Sequence, residues 1–326
     1  MKSLRARPTA SEGAVHGSTM ASESSGLVFD IKRFALHDGP GIRTTAFLKG
    51  CPLACIWCQN PEGISPKPQL WYHNEKCIRC EACIAACPQA ALSARPEERQ
   101  FVHIDRQACT LNGACVSACP SGALTWDSTR YSAEELVDEL EKDRIFYRES
   151  EGGITLSGGE PLFQLDFAVA VLEEAKRRDL HTTIESTLFL KQETLERVLP
   201  LVDHILTDIK LLDGEEHRRY TGVDNSRILD NIRFLAERKT SMTIRIPLIP
   251  EISATDGNIS ATAAYVAALP GEVPLELVNF NPLPAGKYSV LGLDWPFTKY
   301  TSPLPGEDMQ HFADLARQEG ARLVDE

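Results

Sequence analysis

Three cysteines in a CxxxCxxC spacing, Cys51, Cys55 and Cys58, with Trp57 directly before the last, are the residues of this chain best suited to chemistry. Three thiolates on one short loop can hold three irons of a cubane and leave the fourth iron open, and an open position is what a catalytic metal needs. Taken alone, the trio also fits a truncated cluster run or a zinc site. Seven more cysteines follow closely, Cys77, Cys80, Cys83, Cys87, Cys109, Cys115 and Cys119, and the rest of the chain has none. An even total of ten permits a disulfide framework, but such frameworks belong to small secreted chains, and this one has 326 residues. Thiols two and three residues apart suit soft metals and iron-sulfur clusters instead, because one turn of loop delivers several sulfurs to one centre. That chemistry implies a reducing, cytoplasmic compartment and sensitivity to oxygen.

Cys77, Cys80, Cys83 and Cys87, followed by Pro88, reproduce the CxxCxxCxxxCP run of bacterial ferredoxins. A second run, Cys109, Cys115, Cys119 and Pro120, keeps the outer spacing but has Asn112 where the second cysteine would stand. Each run ends in a proline, a short turn and an Ala-Leu pair, Pro88 to Leu92 and Pro120 to Leu124, an internal repeat of 32 residues. The segment 74–125 resembles a two-cluster, bacterial-ferredoxin-like α+β domain, in which the fourth cysteine of each run serves the other cluster. That resemblance implies one complete 4Fe-4S cluster on Cys77, Cys80, Cys83 and Cys119. It implies a second on Cys109, Cys115 and Cys87, with Asn112, water or nothing at the fourth iron, hence a labile 4Fe-4S or a 3Fe-4S cluster. The alternative is an empty second site whose cysteines pack as small hydrophobes. Seven cysteines in a Pro-terminated double repeat exceed what a tetrahedral zinc site uses.

Residues Arg43 to Gly50 read as a short buried strand, so the trio follows a strand's C-terminal end, where α/β barrels carry their active sites. Asp38-Gly39-Pro40-Gly41-Ile42-Arg43-Thr44-Thr45, Phe47 to Leu53, Cys55, Trp57-Cys58 and Asn60-Pro61-Glu62 resemble the activating enzymes of glycyl radical enzymes, within the radical S-adenosylmethionine superfamily. The likeness runs from about residue 27 to the C-terminus, in the branch with extra clusters. It implies that the trio's open iron chelates S-adenosylmethionine. One-electron reduction then gives methionine and a 5′-deoxyadenosyl radical, which takes hydrogen from a glycine of a partner enzyme. It also implies a cofactor site. Trp57, Cys58 and Gln59 stand on the trio's loop, and Gly158-Gly159-Glu160 holds the methionyl amino group through exposed N–H groups and the carboxylate. Asp208, Ile209 and Lys210 lie near the carboxylate and ribose. Glu185 and Ser186, without the usual following glycine, would bind a cation with Asp208 and the Leu206 carbonyl. Asn281 would touch the adenosine. Arg245 reads equally as a cofactor contact or an ion pair. Asp38 and Arg43 are candidates for gripping the partner, with a loop cap as the alternative, and the ferredoxin-like segment would pass electrons from a flavodoxin or ferredoxin.

These residues need a scaffold. Helical patterns at 132–148, 161–178, 191–199, 226–238, 256–268 and 306–319 alternate with apolar strands near 154–157, 181–185, 204–209, 242–248, 274–280 and 321–324. Such alternation predicts a parallel sheet, and with the strand before Cys51 it resembles a partial (β/α)6 TIM-like radical SAM barrel, 26–73 and 126–326, interrupted by the insertion. Residues 1–25 read as a disordered tail, with Met20 as a candidate second start. Hydrophobic residues at 43% and charged ones at 25% are those of a globular protein. The net charge of −12 argues against nucleic acid as partner, and no apolar run approaches the roughly 20 residues that span a membrane. The helix at 133–148 reads as a solvated face, and the eight histidines show no metal-binding spacing. Two other readings are radical chemistry on a small molecule, disfavoured by the Asp38 to Arg43 motif, and a non-catalytic carrier with three closed clusters.

Overall fold

The computed structural model describes residues 24–324. The chain opens with β1 (Ser25–Ala35) and β2 (Arg43–Leu48), then enters the insertion: β3 (Leu70–Tyr72), α1 (Ala82–Ala86), β4 (Leu92–Ala94), β5 (Val102–Ile104), α2 (Ala114–Ser117) and β6 (Leu124–Trp126). It returns through β7 (Thr129–Ser132), α3 (Ala133–Leu140), α4 (Arg144–Ser150), β8 (Gly153–Gly158), α5 (Leu165–Arg177), β9 (Thr182–Ser186) and α6 (Gln192–Val198). There follow β10 (His204–Asp208), α7 (Gly214–Thr221), α8 (Ser226–Glu237), β11 (Met242–Pro247), α9 (Asp256–Ala267), β12 (Leu275–Val278), α10 (Ala285–Leu291) and α11 (Gly306–Gln318). The main sheet runs β12-β11-β10-β9-β8-β2-β1-β7. Its six strands from β2 to β12 are parallel, and β1 and β7 close one edge antiparallel.

Side chains alternate across a strand, and paired residues of parallel strands share a face. One face carries Ala46, Leu156, Ile184, Ile205 and Ile244 and packs on Leu140, Val171, Leu172, Ile232 and Ile259 of the flanking helices in one buried core. The other face is polar. It carries Thr45, Thr155, Thr183, His204 and Thr243, then Ser157, Glu185, Asp208, Arg245 and Glu276 toward the strands' C-terminal ends. Parallel strands buried on both faces read as continuous apolar runs; Thr155-Leu156-Ser157 and Thr183-Ile184-Glu185 alternate instead, so the second face is built to meet polar groups.

The expected strands and helices fall within a few residues of those observed, with four differences. The helix expected over 132–148 is broken by a 3-10 turn at Glu141–Asp143, although its start has a capping box, in which Ser132 Oγ accepts from the Glu135 N–H and Glu135 Oε2 from the Ser132 N–H. The strand expected at 321–324 reduces to one bridge between Leu275 and Leu323. Two helices, α7 and α10, occupy stretches read as connections. The tail and Met20 lie outside the described residues up to residue 23, while Ser25 already pairs with Ser132 in the sheet.

The insertion has a core of its own, with Leu70, Tyr72, Leu92, Phe101, Val102 and Leu124 buried together. Its repeat is visible in the backbone: α1 follows Glu81 at φ 57 and α2 follows Gly113 at φ 80, and the helices carry Cys83 and Cys115. It joins the sheet through charge. Lys49 is fully buried, and its Nζ donates to Asp127 Oδ2 and to the Glu62 carbonyl, each at 2.5 Å. Asp127 also accepts from the Gln69 N–H at 2.9 Å, which ties both ends of the insertion to the end of β2. Leaving one member of such a pair buried alone costs about 3–5 kcal/mol. Lys49→Met should lose that much in urea unfolding, and adding Asp127→Leu should restore most of it; a Lys49→Met protein as stable as the wild type would show that the pair does not anchor the insertion.

Candidate functional site

Apart from Arg43 at the start of β2, the singled-out residues of the parallel strands lie toward or just past the C-terminal ends. Gly50 follows β2 and opens the loop of Cys51, Cys55 and Cys58. That loop is pinned by backbone bonds: Gly50 N–H to Gly63 O at 2.7 Å, Cys51 N–H to Ile64 O at 3.1 Å, and Ala54 and Ile56 N–H to the Thr221 and Tyr220 carbonyls at 2.8 and 3.1 Å. The end of α7 therefore grips the chain on both sides of Cys55. Tyr288 of α10 donates to the Cys58 carbonyl at 3.1 Å, and Lys287 reaches Asn60 Oδ1 and Glu62 Oε1 at 2.8 and 2.6 Å. Trp57 is 3% exposed in an apolar core with Leu211, Ile249, Phe280, Tyr288 and Trp295. Gln59 donates to the Asn281 carbonyl at 3.3 Å, so these two residues, expected near the cofactor, meet across the loop. The Asn281 side chain accepts from the Leu283 N–H.

Burial pushes the thiols of Cys51 and Cys58 up to about 12, and raises Cys55 against the pull of Lys210. None of the ten cysteines is in a disulfide. A metal has to displace these protons to bind, and three soft thiol donors on one clamped loop are the donor set of an iron-sulfur cluster.

Next to the trio lies a buried charge network. Lys210 Nζ donates to Asp208 Oδ2 at 2.8 Å, Arg245 Nε to Asp208 Oδ1 at 3.0 Å, and the same guanidinium pairs with Glu185. Ser157 Oγ donates to Glu185 Oε2 at 2.6 Å. Burial works against charge on Asp208, but Lys210 and Arg245 more than offset it and hold the carboxyl far below its ordinary range. Burial likewise lowers Lys210, and Asp208 and then Cys55 lift it above its ordinary value, which places the ammonium in the field of the trio. Ile209 is buried, its N–H on the Arg245 carbonyl at 2.9 Å. The cation expected among Glu185, Ser186 and Asp208 finds its place taken: Arg245 bridges the two carboxylates, and the Ser186 hydroxyl turns away to Glu160 at 2.9 Å.

The glycine pair is explained first by packing. A Cβ on Gly158, at φ 118, would lie 2.3 Å from the Leu48 nitrogen, and one on Gly159 would lie 2.4 Å from the Gly50 carbonyl oxygen. The N–H groups expected to be exposed are used, Gly159 donating to Leu48 O at 2.9 Å and Glu160 to Gly50 O at 2.7 Å. Glu160 is fully buried, and its carboxylate accepts from the Leu162 and Thr187 N–H groups and the Ser186 and Thr187 hydroxyls. It binds the turn after β8 to the turn after β9 and is no free ligand. Thr187, in the place of the family's glycine, is thereby a working part of the loop.

Asp38 and Arg43 stand at the opposite end. β2 runs about 17 Å between Arg43 and the trio's loop at the usual strand rise. Arg43 is fully buried, donating to Thr155 Oγ1 at 2.7 Å and to the Pro40 and Ile154 carbonyls at 2.8 and 2.5 Å, and burial lowers its pKa to about 10. Asp38 accepts from Thr45 Oγ1 at 2.7 Å. For Arg43 the expectation of a partner contact is corrected, because it is inaccessible; with half-buried Asp38 it braces the loop that closes the foot of the polar face, the capping alternative.

In the insertion, Cys77, Cys80, Cys83 and Cys119 line one cavity, with Tyr72 and Phe101 beside them. The Cys83 thiol, pushed up to about 11 by burial, sits within the field of Cys119 and Cys77, and the buried Cys115 thiol within that of Cys109 and Cys87. The cysteines thus sort across the two runs. The insertion faces α10, where Gln100 and Arg106 donate to the Ser289 and Val290 carbonyls at 3.1 and 3.4 Å. No sequence signal marked α10; only the aromatic run Tyr288, Trp295, Phe297 and Tyr300 hinted at a core there.

The radical SAM superfamily model matches residues 45–258. The (2S)-3-sulfopropanediol dehydratase activating enzyme of Klebsiella oxytoca is 40% identical over 94% of this chain and 98% of its own length. The indoleacetate decarboxylase activating enzyme of Tractidigestivibacter scatoligenes is 36% identical over 91% and 96%, and the benzylsuccinate synthase activating enzyme of Thauera aromatica 38% over 82% of each. The chain belongs to the radical SAM superfamily. Within it, the chain is one of the activating enzymes of glycyl radical enzymes, oxidoreductases that depend on S-adenosylmethionine and a 4Fe-4S cluster. No helix among the described residues is long and apolar enough to cross a membrane.

Glu160→Gln sets an amide NH2 against the four donors of the carboxylate, and an unsatisfied buried group costs about 1–3 kcal/mol. A melting temperature several degrees lower is expected for the reconstituted protein. Unchanged melting together with weakened S-adenosylmethionine binding would make Glu160 a ligand instead of a clasp.

Proposed function

We propose that Cys51, Cys55 and Cys58 hold the catalytic 4Fe-4S cluster, and that S-adenosylmethionine lies between it and the polar face, against the ends of β8, β9 and β10. The observation that carries this reading is three half-buried thiols on a clamped loop beside Lys210 and the Asp208–Arg245–Glu185 network. When bound, the cluster supplies the electron that cleaves the sulfonium and releases the 5′-deoxyadenosyl radical. Lys210 and Arg245 offer positive charge to a carboxylate, and Asp208 and Glu185 offer acceptors to an ammonium or a ribose hydroxyl, in a site where burial strengthens each contact. No general base is needed, because the step transfers a hydrogen atom and not a proton; the chain's share is placement and exclusion of water and oxygen. Trp57 and its aromatic neighbours wall the trio's loop on one side.

The partner is a glycyl radical enzyme, from one of whose glycines the radical takes hydrogen. Residues 26–73 and 126–326 are read as the partial (β/α)6 barrel, a reading supported by the six parallel strands. Residues 74–125 are read as a ferredoxin-like domain with a complete cluster on Cys77, Cys80, Cys83 and Cys119, supported by their shared cavity. It takes electrons from a flavodoxin or ferredoxin and passes them toward the trio, next to α10.

The first test is electron paramagnetic resonance of the anaerobically reconstituted, reduced protein with and without S-adenosylmethionine. A signal that shifts on adding the cofactor, with the shifting component absent from Cys55→Ala, is expected; no shift would leave an electron carrier. A second test separates relay from catalysis. Replacing Cys77, Cys80 and Cys83 with alanine should abolish partner activation driven by reduced flavodoxin, while dithionite-driven formation of 5′-deoxyadenosine persists. Unchanged flavodoxin-driven activation would rule the relay out.

A further inference from the structure

The two cysteine runs are not equivalent, and the difference is concentrated at Asn112. In the first run the corresponding position is Cys80, an exposed thiol that shares the cavity of Cys77, Cys83 and Cys119. In the second run Asn112 is committed at both ends of its amide. Its Oδ1 accepts from the Ala114 N–H at 2.9 Å, and its Nδ2 donates to Gln89 Oε1 at 2.5 Å and to Thr110 Oγ1 at 3.3 Å. Gln89 follows the Cys87-Pro88 end of the first run, so this contact clasps the two runs beside Cys87, which packs with Cys109 and Cys115 around the insertion's core.

From this we infer that Cys87, Cys109 and Cys115 hold a three-iron, four-sulfide cluster, with Asn112 serving as the cap of its loop and not as a ligand. The inference rests on the reading of residues 74–125 as cluster-binding and adds the nuclearity of the second site. Three thiolates each satisfy one iron. A fourth iron would face a neutral carboxamide, a poor donor for iron beside thiolate, whose only acceptor oxygen already takes a backbone N–H. Water would be its remaining ligand at an exposed position, and an iron held by sulfide and water alone is readily lost.

The test uses the full chain, reconstituted anaerobically, with iron and sulfide analysis, Mössbauer spectroscopy and electron paramagnetic resonance of the oxidised protein. The wild type should carry about eleven irons, four at the trio, four at the first site and three at the second, and show one three-iron signal per chain. Asn112→Cys should gain about one iron and lose that signal, Asn112→Ala should keep it, and Cys109→Ala should lose it with the second site's iron. A wild type with about twelve irons and no three-iron signal overturns the inference. So does a Cys109→Ala protein that loses no iron while Cys80→Ala does. If neither variant loses iron, the cluster-binding reading of the insertion itself has failed.

Discussion

A single buried ion pair sets the relation of everything else. Lys49 ends the strand that leads to Cys51, and its ammonium sits between Asp127, at the exit of the insertion, and the Glu62 carbonyl, just after the trio's loop. An ammonium with no water around it tolerates little displacement, because moving any partner exposes a bare charge to a low-dielectric surrounding. Three segments separated in sequence are therefore held to one point, and the trio hangs between them. Glu62 extends the tie to Lys287 of α10, the helix that also carries Tyr288 to the Cys58 carbonyl and receives Gln100 and Arg106 from the insertion.

The second governing feature is the division of the sheet into an apolar and a polar face. The apolar face supplies the core, and the polar face is graded from foot to top. At the foot, Arg43, Thr155 and Asp38 satisfy one another and hold the β1–β2 loop shut. In the middle lie threonines and His204, whose pKa burial lowers to about 4, so it is neutral under ordinary conditions. At the top, opposite charges stand within hydrogen-bond reach of each other beside the thiols. Buried charge therefore stands at both ends of the polar face, with neutral polar groups between them.

Much of this was legible in the residues. The cysteine spacing located the trio and the two runs. The alternating patterns gave all the parallel strands. The failures have physical causes. Asp38 and Arg43 are neighbours of the trio in sequence, but a strand lies between, and a strand turns sequence proximity into distance. Glu160 looked like a ligand because an acidic residue after two glycines is polar and placed correctly; only the fold reveals that Ser186 and Thr187, a strand away, already occupy it. The helix α7 was missed because Gly-Glu-Glu-His-Arg-Arg-Tyr-Thr has no apolar stripe, burying only His217 and Thr221, and yet its terminal carbonyls hold the trio's loop.

The placement of the ten thiols along the chain also divides the sources of their shelter. All of them lie between residues 51 and 119, and everything that lines the cavity of the first run comes from residues 72–124. The cavity of the first run therefore takes no lining residue from outside that stretch. The trio, although first in sequence, is enclosed by Lys210, Tyr220, Thr221 and Tyr288, which lie in the last 117 residues. The cavity of the first run is thus built from one short stretch of chain, whereas the trio is enclosed by residues brought from the far half of the sequence.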